Sequence, residues 1–352
     1  MTDKPPRTQL SLFGDAGQHE PDVAPHVDPS ARELATHLPR RIRFGTSSWS
    51  FPGWGGIVFA GKPTQDALAR RGLTAYAQNP LLRTVGLDRS YYGPLREDEL
   101  AQYAAQLDRA KEITAKSGQD LPPFRMVSKV WEEITTAVFP SHLRYGARAG
   151  TKNPTFLDAS RFLSEVLEPY RRAFLPYVGP FVFELTPMPR GAIDERTLVA
   201  RIDAFLGKLP TGFQWAFELR NEELLGQRWF DMLAANGVAH VFTYWTAMPA
   251  IRAQLAHPRS IGARFVITRL MLPPYTRYET KKAEFAPFDK VVAPQPEMRD
   301  DVIKLLEEAI ERGCEDVYVL VNNKAEGSSP LTVRALAERV VHERIGVTDI
   351  EF

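Results

Sequence analysis

Ile42-Arg-Phe-Gly-Thr-Ser-Ser-Trp-Ser-Phe-Pro-Gly-Trp54 reads as the first strand and first loop of a barrel. Ile42 and Phe44 alternate with Arg43 in a short strand that breaks at Gly45. A turn of small residues, Thr46, Ser47 and Ser48, leads to Trp49 at the rim and to a Pro-Gly-Trp corner at Pro52, Gly53 and Trp54. Upstream lies a polar stretch; downstream, strand-like and helix-like stretches alternate to the end.

The alternation is regular enough to count. Strands are expected at 42–46, 82–86, 124–129, 180–185, 214–219, 239–243, 263–269 and 316–321. Helical periodicity falls between them, clearest from Arg96 to Lys116, where Leu100, Tyr103, Ala104 and Leu107 form one stripe. Further helices are expected at 160–172, 195–206, 222–235, 297–312 and 331–343, with weaker patterns at 64–78 and 247–256. Eight βα units imply a parallel sheet closed into a single (β/α)8 TIM-type barrel over 41–352. An open doubly wound sheet is the alternative, but no Gly-rich dinucleotide fingerprint follows the first strand. Residues 1–40, with prolines at 5, 6, 21, 25, 29 and 39, read as a mostly disordered tail.

Composition narrows the function classes. A net charge of +1 over 352 residues provides no global field toward nucleic acid or membrane, so any such preference is local. One cysteine, Cys314, excludes an intrachain disulfide. No apolar run spans a bilayer and the start lacks an apolar signal core, so a cytoplasmic protein with no membrane partner is expected.

In TIM barrels the chemistry sits where strands end. Those positions here carry Trp49, Asp88, Lys129, Glu184, Glu218 with Arg220, Tyr244, Arg269, and Asn322 with Asn323. In Gln214-Trp-Ala-Phe-Glu-Leu-Arg220 a period of two puts Glu218 and Arg220 on one face and Trp215, Phe217 and Leu219 on the other. Inward charges are costly unless paired or at a wet mouth. They form either a structural ion-pair lattice or a site. As a site, Glu184 and Glu218 are candidate acid and base, Lys129 a candidate amine or anion clamp, and Arg220 and Arg269 candidate anion binders. Trp49 and Tyr92 are candidate stacking walls, and Asn322 and Asn323 candidate polar contacts.

Two basic stretches, His142 to Lys152 and Arg269 to Lys282, fall in loops of the same end. They are either solvated faces or the collar of a site for an anionic small molecule or DNA. No His/Asp/Glu cluster has metal-ligand spacing, no G-x-S-x-G elbow occurs, and no cofactor is expected.

Gly45-Thr-Ser-Ser-Trp-Ser-Phe-Pro-Gly-Trp54 resembles the opening motif of the domain of unknown function 72 (DUF72) family of YecE-like TIM barrels. The likeness continues through Tyr92, Lys129-Val-Trp-Glu-Glu-Ile-Thr135, Gly179-Pro180 to Glu184, Glu218-Leu-Arg220, Arg269, and Asn322-Asn323 with Gly327. The resemblance implies a barrel with a polar pocket at its C-terminal mouth and no established reaction. This chain departs from the family pattern where a glutamate is replaced by Gly86 and histidines by Thr136, Asn221, Met271 and Lys324. A second resemblance lies in the tail. Gln9-Leu10-Ser11-Leu12-Phe13 is similar to the pentapeptide that binds the bacterial β sliding clamp. Leu12 and Phe13 would be its apolar anchors and Gln9 its amide contact, unless these residues dock on the barrel itself.

Three functions follow as expectations. One is a metal-independent hydrolase or lyase acting on a phosphate-bearing or nucleic-acid-derived substrate and recruited to the clamp. Another is a non-catalytic, clamp-tethered accessory module of DNA replication or repair. The third, suggested by paired glutamates and mouth tryptophans, is a glycoside-active enzyme.

Overall fold

The computed structural model describes residues 22–346 apart from 27, 274, 275 and 277, and it closes into an eight-stranded parallel barrel. The strands are β1 (Ile42–Thr46), β2 (Thr84–Leu87), β3 (Arg125–Lys129), β4 (Val178–Glu184), β5 (Trp215–Glu218), β6 (Ala239–Tyr244), β7 (Phe265–Leu270) and β8 (Asp316–Val321). Each pairs with its neighbours in sequence, and β1 pairs with β8 from Ile42↔Val317 to Thr46↔Val321 to close the ring. No helix among the described residues is long and apolar enough to cross a membrane.

Alternation along the strands builds two cores. Val127, Val182, Ala216, Val241, Ile267 and Leu320 point inward and fill the barrel. Phe181, Phe183, Trp215 and Phe217 point outward under the helices, where Phe183 and Phe217 stack 4.6 Å apart. One further step along the inward series replaces each apolar side chain by a polar one. Val127 is followed by Lys129, Val182 by Glu184, Ala216 by Glu218 and Arg220, and Ile267 by Arg269. The greasy plug therefore ends in a layer of charge at the C-terminal mouth.

Gly45 shows why the opening stretch reads as it does. A Cβ there would lie 2.0 Å from the Thr84 carbonyl oxygen, so β1 and β2 approach too closely for any side chain. Downstream, the buried Trp54 donates from its indole Nε1 to Asn323 Oδ1 (3.2 Å), tying the first loop to the last.

Differences from expectation are local. Residues 22–40, expected to belong to a mostly disordered tail, contain the helix Pro29–Thr36. Its N-cap Asp28 accepts from the backbone N–H of Ser30 (2.9 Å) and Ala31 (3.4 Å), and pairs with Arg334 of the last helix. Pro29 marks a helix start rather than a break, because a first-turn proline gives up no hydrogen bond. Expected helix 222–235 is divided at Gly226 into a short 3-10 turn, Glu222–Leu224, and the helix Gln227–Ala235. Two short helices, Glu132–Thr135 and Tyr278–Phe285, lie in loops where none was expected. The clamp-like pentapeptide lies outside the described residues.

Candidate functional site

The inward charges meet as one network. Lys129 Nζ lies 2.8 Å from Glu184 Oε2 and 3.2 Å from Asp88 Oδ1. Arg220 Nη2 lies 2.8 Å from both Glu184 Oε2 and Glu218 Oε1. Arg269 Nη1 donates to Glu184 Oε2 (2.8 Å) and to Glu218 Oε2, while its Nη2 stands 3.5 Å from Asp88 Oδ1. Register explains the convergence, since Glu184 and Glu218 are direct partners across β4 and β5. Three cations face three carboxylates, so the layer is neutral in sum.

Electrostatics fix the protonation states. Burial alone would raise the Glu184 carboxyl, but Arg220, Lys129 and Arg269 overcome it and hold the group well below the usual carboxylate range. Burial likewise disfavours the Arg269 cation, and Glu218, Glu184 and Asp88 reverse that, raising it above the ordinary arginine value. Glu184 is therefore ionised at neutral pH and occupied by three donors. It has no proton to give, and its basicity is suppressed. Guanidinium nitrogens also bridge Glu184 and Glu218, taking the position where a glycosidic oxygen or attacking water would stand between a paired acid and base.

One member is less tightly held. Asp88 is 36% exposed at the side chain, against 0% for Glu218. The Arg269 Nη2 facing it is buried and makes no hydrogen bond. This is the point where the network is incomplete.

Aromatic side chains frame the cations. Lys129 Nζ lies 5.4 Å from the Tyr91 ring centre, and the Arg220 guanidinium 4.5 Å from that of Trp245. Tyr91 also shares a hydroxyl chain with Thr186 and Thr136, each contact 2.8 Å. Thr186 was missed in the sequence reading, although its place two residues beyond Glu184 on the same face was available.

The other expected site residues are placed differently. Trp49 is buried beneath the rim, its Nε1 donating to the Leu68 carbonyl (3.1 Å) and its ring edge-on to Tyr103. It lines a cavity of about 480 Å³ between the helices Gln65–Ala77 and Glu97–Lys116 that reaches Asp88. Tyr92 is 66% exposed, edge-on to Tyr91 and below Arg144. Asn322 Oδ1 accepts from the Lys324 backbone N–H (3.0 Å). Asn323 is a structural latch, buried, with Oδ1 accepting from Trp54 and from the backbone and hydroxyl of Ser329. The basic stretches are largely neutralised. Arg144 pairs with Glu132, Arg148 with Glu133, and Lys281 with Glu284. The helix Glu132–Thr135 carries the acids that the stretch 142–152 lacks.

A family profile described as protein of unknown function DUF72 matches residues 43–349. The chain belongs to that family. A DUF72 protein of Enterococcus faecalis V583 is similar in structure, with a TM-score of 0.55 at 15% identity over 86% of this chain and 95% of that one. A DUF72 protein of Thermotoga maritima MSB8 has a TM-score of 0.51 at 16% identity, over 85% and 98%. At such identities the likeness concerns the fold alone. No curated protein matches the sequence.

Within this DUF72 barrel, Thr136, Asn221 and Gly86, three positions where the resemblance implies other residues, have local roles. Thr136 ends the hydroxyl chain above. Asn221 clamps the Met188 backbone, accepting from its N–H (2.8 Å) and donating to its carbonyl (3.0 Å). Gly86 lies in β2, where a Cβ would be 3.2 Å from the Ser47 carbonyl oxygen. His240 in β6 is buried, pushed down to about 4 by burial, and held between Trp229 and Gln254. Among the described residues no group of three or more His, Cys, Asp and Glu side chains could hold a metal ion.

Proposed function

We propose that the barrel mouth binds an oxyanion, of the kind carried by a phosphate-bearing or nucleic-acid-derived molecule, through Lys129 and the Nη2 edge of Arg269. The carrying observation is that buried Nη2, without an acceptor and beside the one loosely held carboxylate. A bound phosphate or carboxylate would take the place of Asp88 and supply the missing hydrogen bond. Without Asp88 the layer holds three cations and two glutamates, a net +1 that attracts an anion. On this reading Glu184 and Glu218 hold the cations in place and do not shuttle protons, which favours a binding barrel over acid–base hydrolysis or elimination.

Calorimetric titration with a nucleoside monophosphate tests it. Asp88→Asn removes the competing carboxylate and tightens binding, whereas Lys129→Met weakens it by about tenfold, the loss of one charge-assisted contact. Equal affinity in wild type and both variants refutes the assignment.

Recruitment to the bacterial β sliding clamp is a separate proposal that rests on Gln9-Leu10-Ser11-Leu12-Phe13. A clamp-tethered barrel would act near DNA by raised local concentration. Purified clamp should bind the full chain and lose that binding in Gln9→Ala/Phe13→Ala; equal affinity for both chains, or none for either, removes the idea.

A further inference from the structure

Arg83 sits at the other end of the barrel, immediately before β2, and is buried, with 8% of its surface exposed. Its Nε donates to the Pro122 carbonyl (3.1 Å), and its Nη1 to the carbonyls of Ala77 (2.9 Å) and Leu82 (3.4 Å). The guanidinium lies 5.4 Å from the centre of the Phe124 ring. Arg269 shows how this chain treats a buried guanidinium elsewhere, surrounding it with three carboxylates. Arg83 has none in ion-pair contact among the described residues, and its charged neighbour is another cation, Arg43. Burial and Arg43 push it down to about 9, so it stays charged at neutral pH. A buried cation satisfied by carbonyl dipoles alone is short of an anion.

The wall that Arg83 forms with Gln119, Leu121 and Pro122 borders two cavities of about 460 and 500 Å³. Arg32 and Arg40 line the first and Lys111 the second; Asp120, paired with Arg40, lines both, and Asp108, which accepts from the Tyr177 hydroxyl, lines the second. Gln119 supplies an independent clue. Its Nε2 donates to Ser117 Oγ (2.9 Å), and that hydroxyl already donates to the Thr114 carbonyl (2.8 Å), which fixes the amide orientation. Gln119 Oε1 is left buried with no donor. The wall thus holds a buried guanidinium with no carboxylate in ion-pair contact among the described residues and a buried amide oxygen with no donor.

We infer that this end of the barrel is a second small-molecule site, for an oxyanion carrying a hydroxyl. The oxyanion pairs with Arg83, and the hydroxyl donates to Gln119 Oε1. Protonated inorganic phosphate and a short α-hydroxy acid share this chemistry. The site is independent of the mouth and stands or falls separately from the reading given for it.

The test follows the Arg83 Nε–H resonance by NMR while inorganic phosphate, glycolate or acetate is added. Phosphate or glycolate, whichever is the better fit, shifts the resonance saturably, and acetate, lacking the hydroxyl, binds more weakly. Gln119→Leu weakens binding about tenfold. Asp120→Ala, which removes the partner of Arg40 and a carboxylate lining both cavities, tightens it. Lys129→Met leaves it unchanged, which separates this site from the mouth. Absence of a saturable shift with both hydroxylated probes, unchanged affinity in Gln119→Leu, or loss of the shift in Lys129→Met overturns the proposal. Arg83→Met is a further variant, but Gln119→Leu decides if that chain fails to fold.

Discussion

Arg269→Met tests whether the charge layer is one coupled network. Arg269 is 2% exposed at the side chain and contacts Glu184 and Glu218, the latter fully buried. Methionine fills much of the volume, so the loss is chiefly electrostatic. Glu218 then keeps only Arg220, and a buried charge loses a partner, at a cost of about 3–5 kcal/mol. With an unfolding entropy of about 2 cal/mol/K per residue over the roughly 320 described residues, 4 kcal/mol lowers Tm by about 6 °C. The informative chain is the double variant Glu218→Gln/Arg269→Met. Removing the stranded charge restores part of the loss, so the double variant is more stable than Arg269→Met alone. Urea unfolding of wild type, both single variants and the double variant gives the coupling energy directly. Strict additivity of the two single effects would refute the network, since contacting charges cannot be energetically independent.

Lys129→Met gives a pH signature. Glu184 is depressed in the folded state, so its ion pairs contribute fully above the ordinary carboxylate range and are lost as pH falls through its lower folded value. The stability gap between wild type and Lys129→Met, measured by urea midpoints, therefore narrows on acidification; a gap constant with pH contradicts the assignment. Gly45→Ala places a methyl 2.0 Å from a backbone oxygen and separates β1 from β2, so a loss of several kcal/mol, on the order of the worst core substitutions, is expected in the same assay. Phe217→Ala, which removes the stacked partner of Phe183, costs about 3–5 kcal/mol.

The barrel was legible because its strands carry two signals at once. In Gln214 to Arg220 the period of two separates Phe217 from Glu218, and the observed strand puts the first under the helices and the second in the mouth. Helix 97–116 was equally plain from its stripe, and all eight strand positions match to within about two residues. The helix at 29–36 was not legible by the same logic. The prolines around it signal a break in composition, whereas the ion pair of its cap residue Asp28 with Arg334 depends on a contact more than three hundred positions away.

The site divides in the same way. Alternation predicts that Lys129, Glu184, Glu218, Arg220 and Arg269 share a face, because that follows from the backbone. It says nothing of which charge meets which, and pairing decides the chemistry. Two glutamates on adjacent strands suggest an acid and a base only while the arginines are imagined pointing elsewhere. Once Arg220 and Arg269 bridge them, the same two residues become a fixed anionic floor, and attention moves to the incomplete edge at Asp88. A matching logic separates the two ends of the barrel. Arg269 is a buried arginine bridged to three carboxylates, and Arg83 is one with none in ion-pair contact among the described residues, so on the proposed readings a ligand at the mouth displaces a resident anion while one at the base does not.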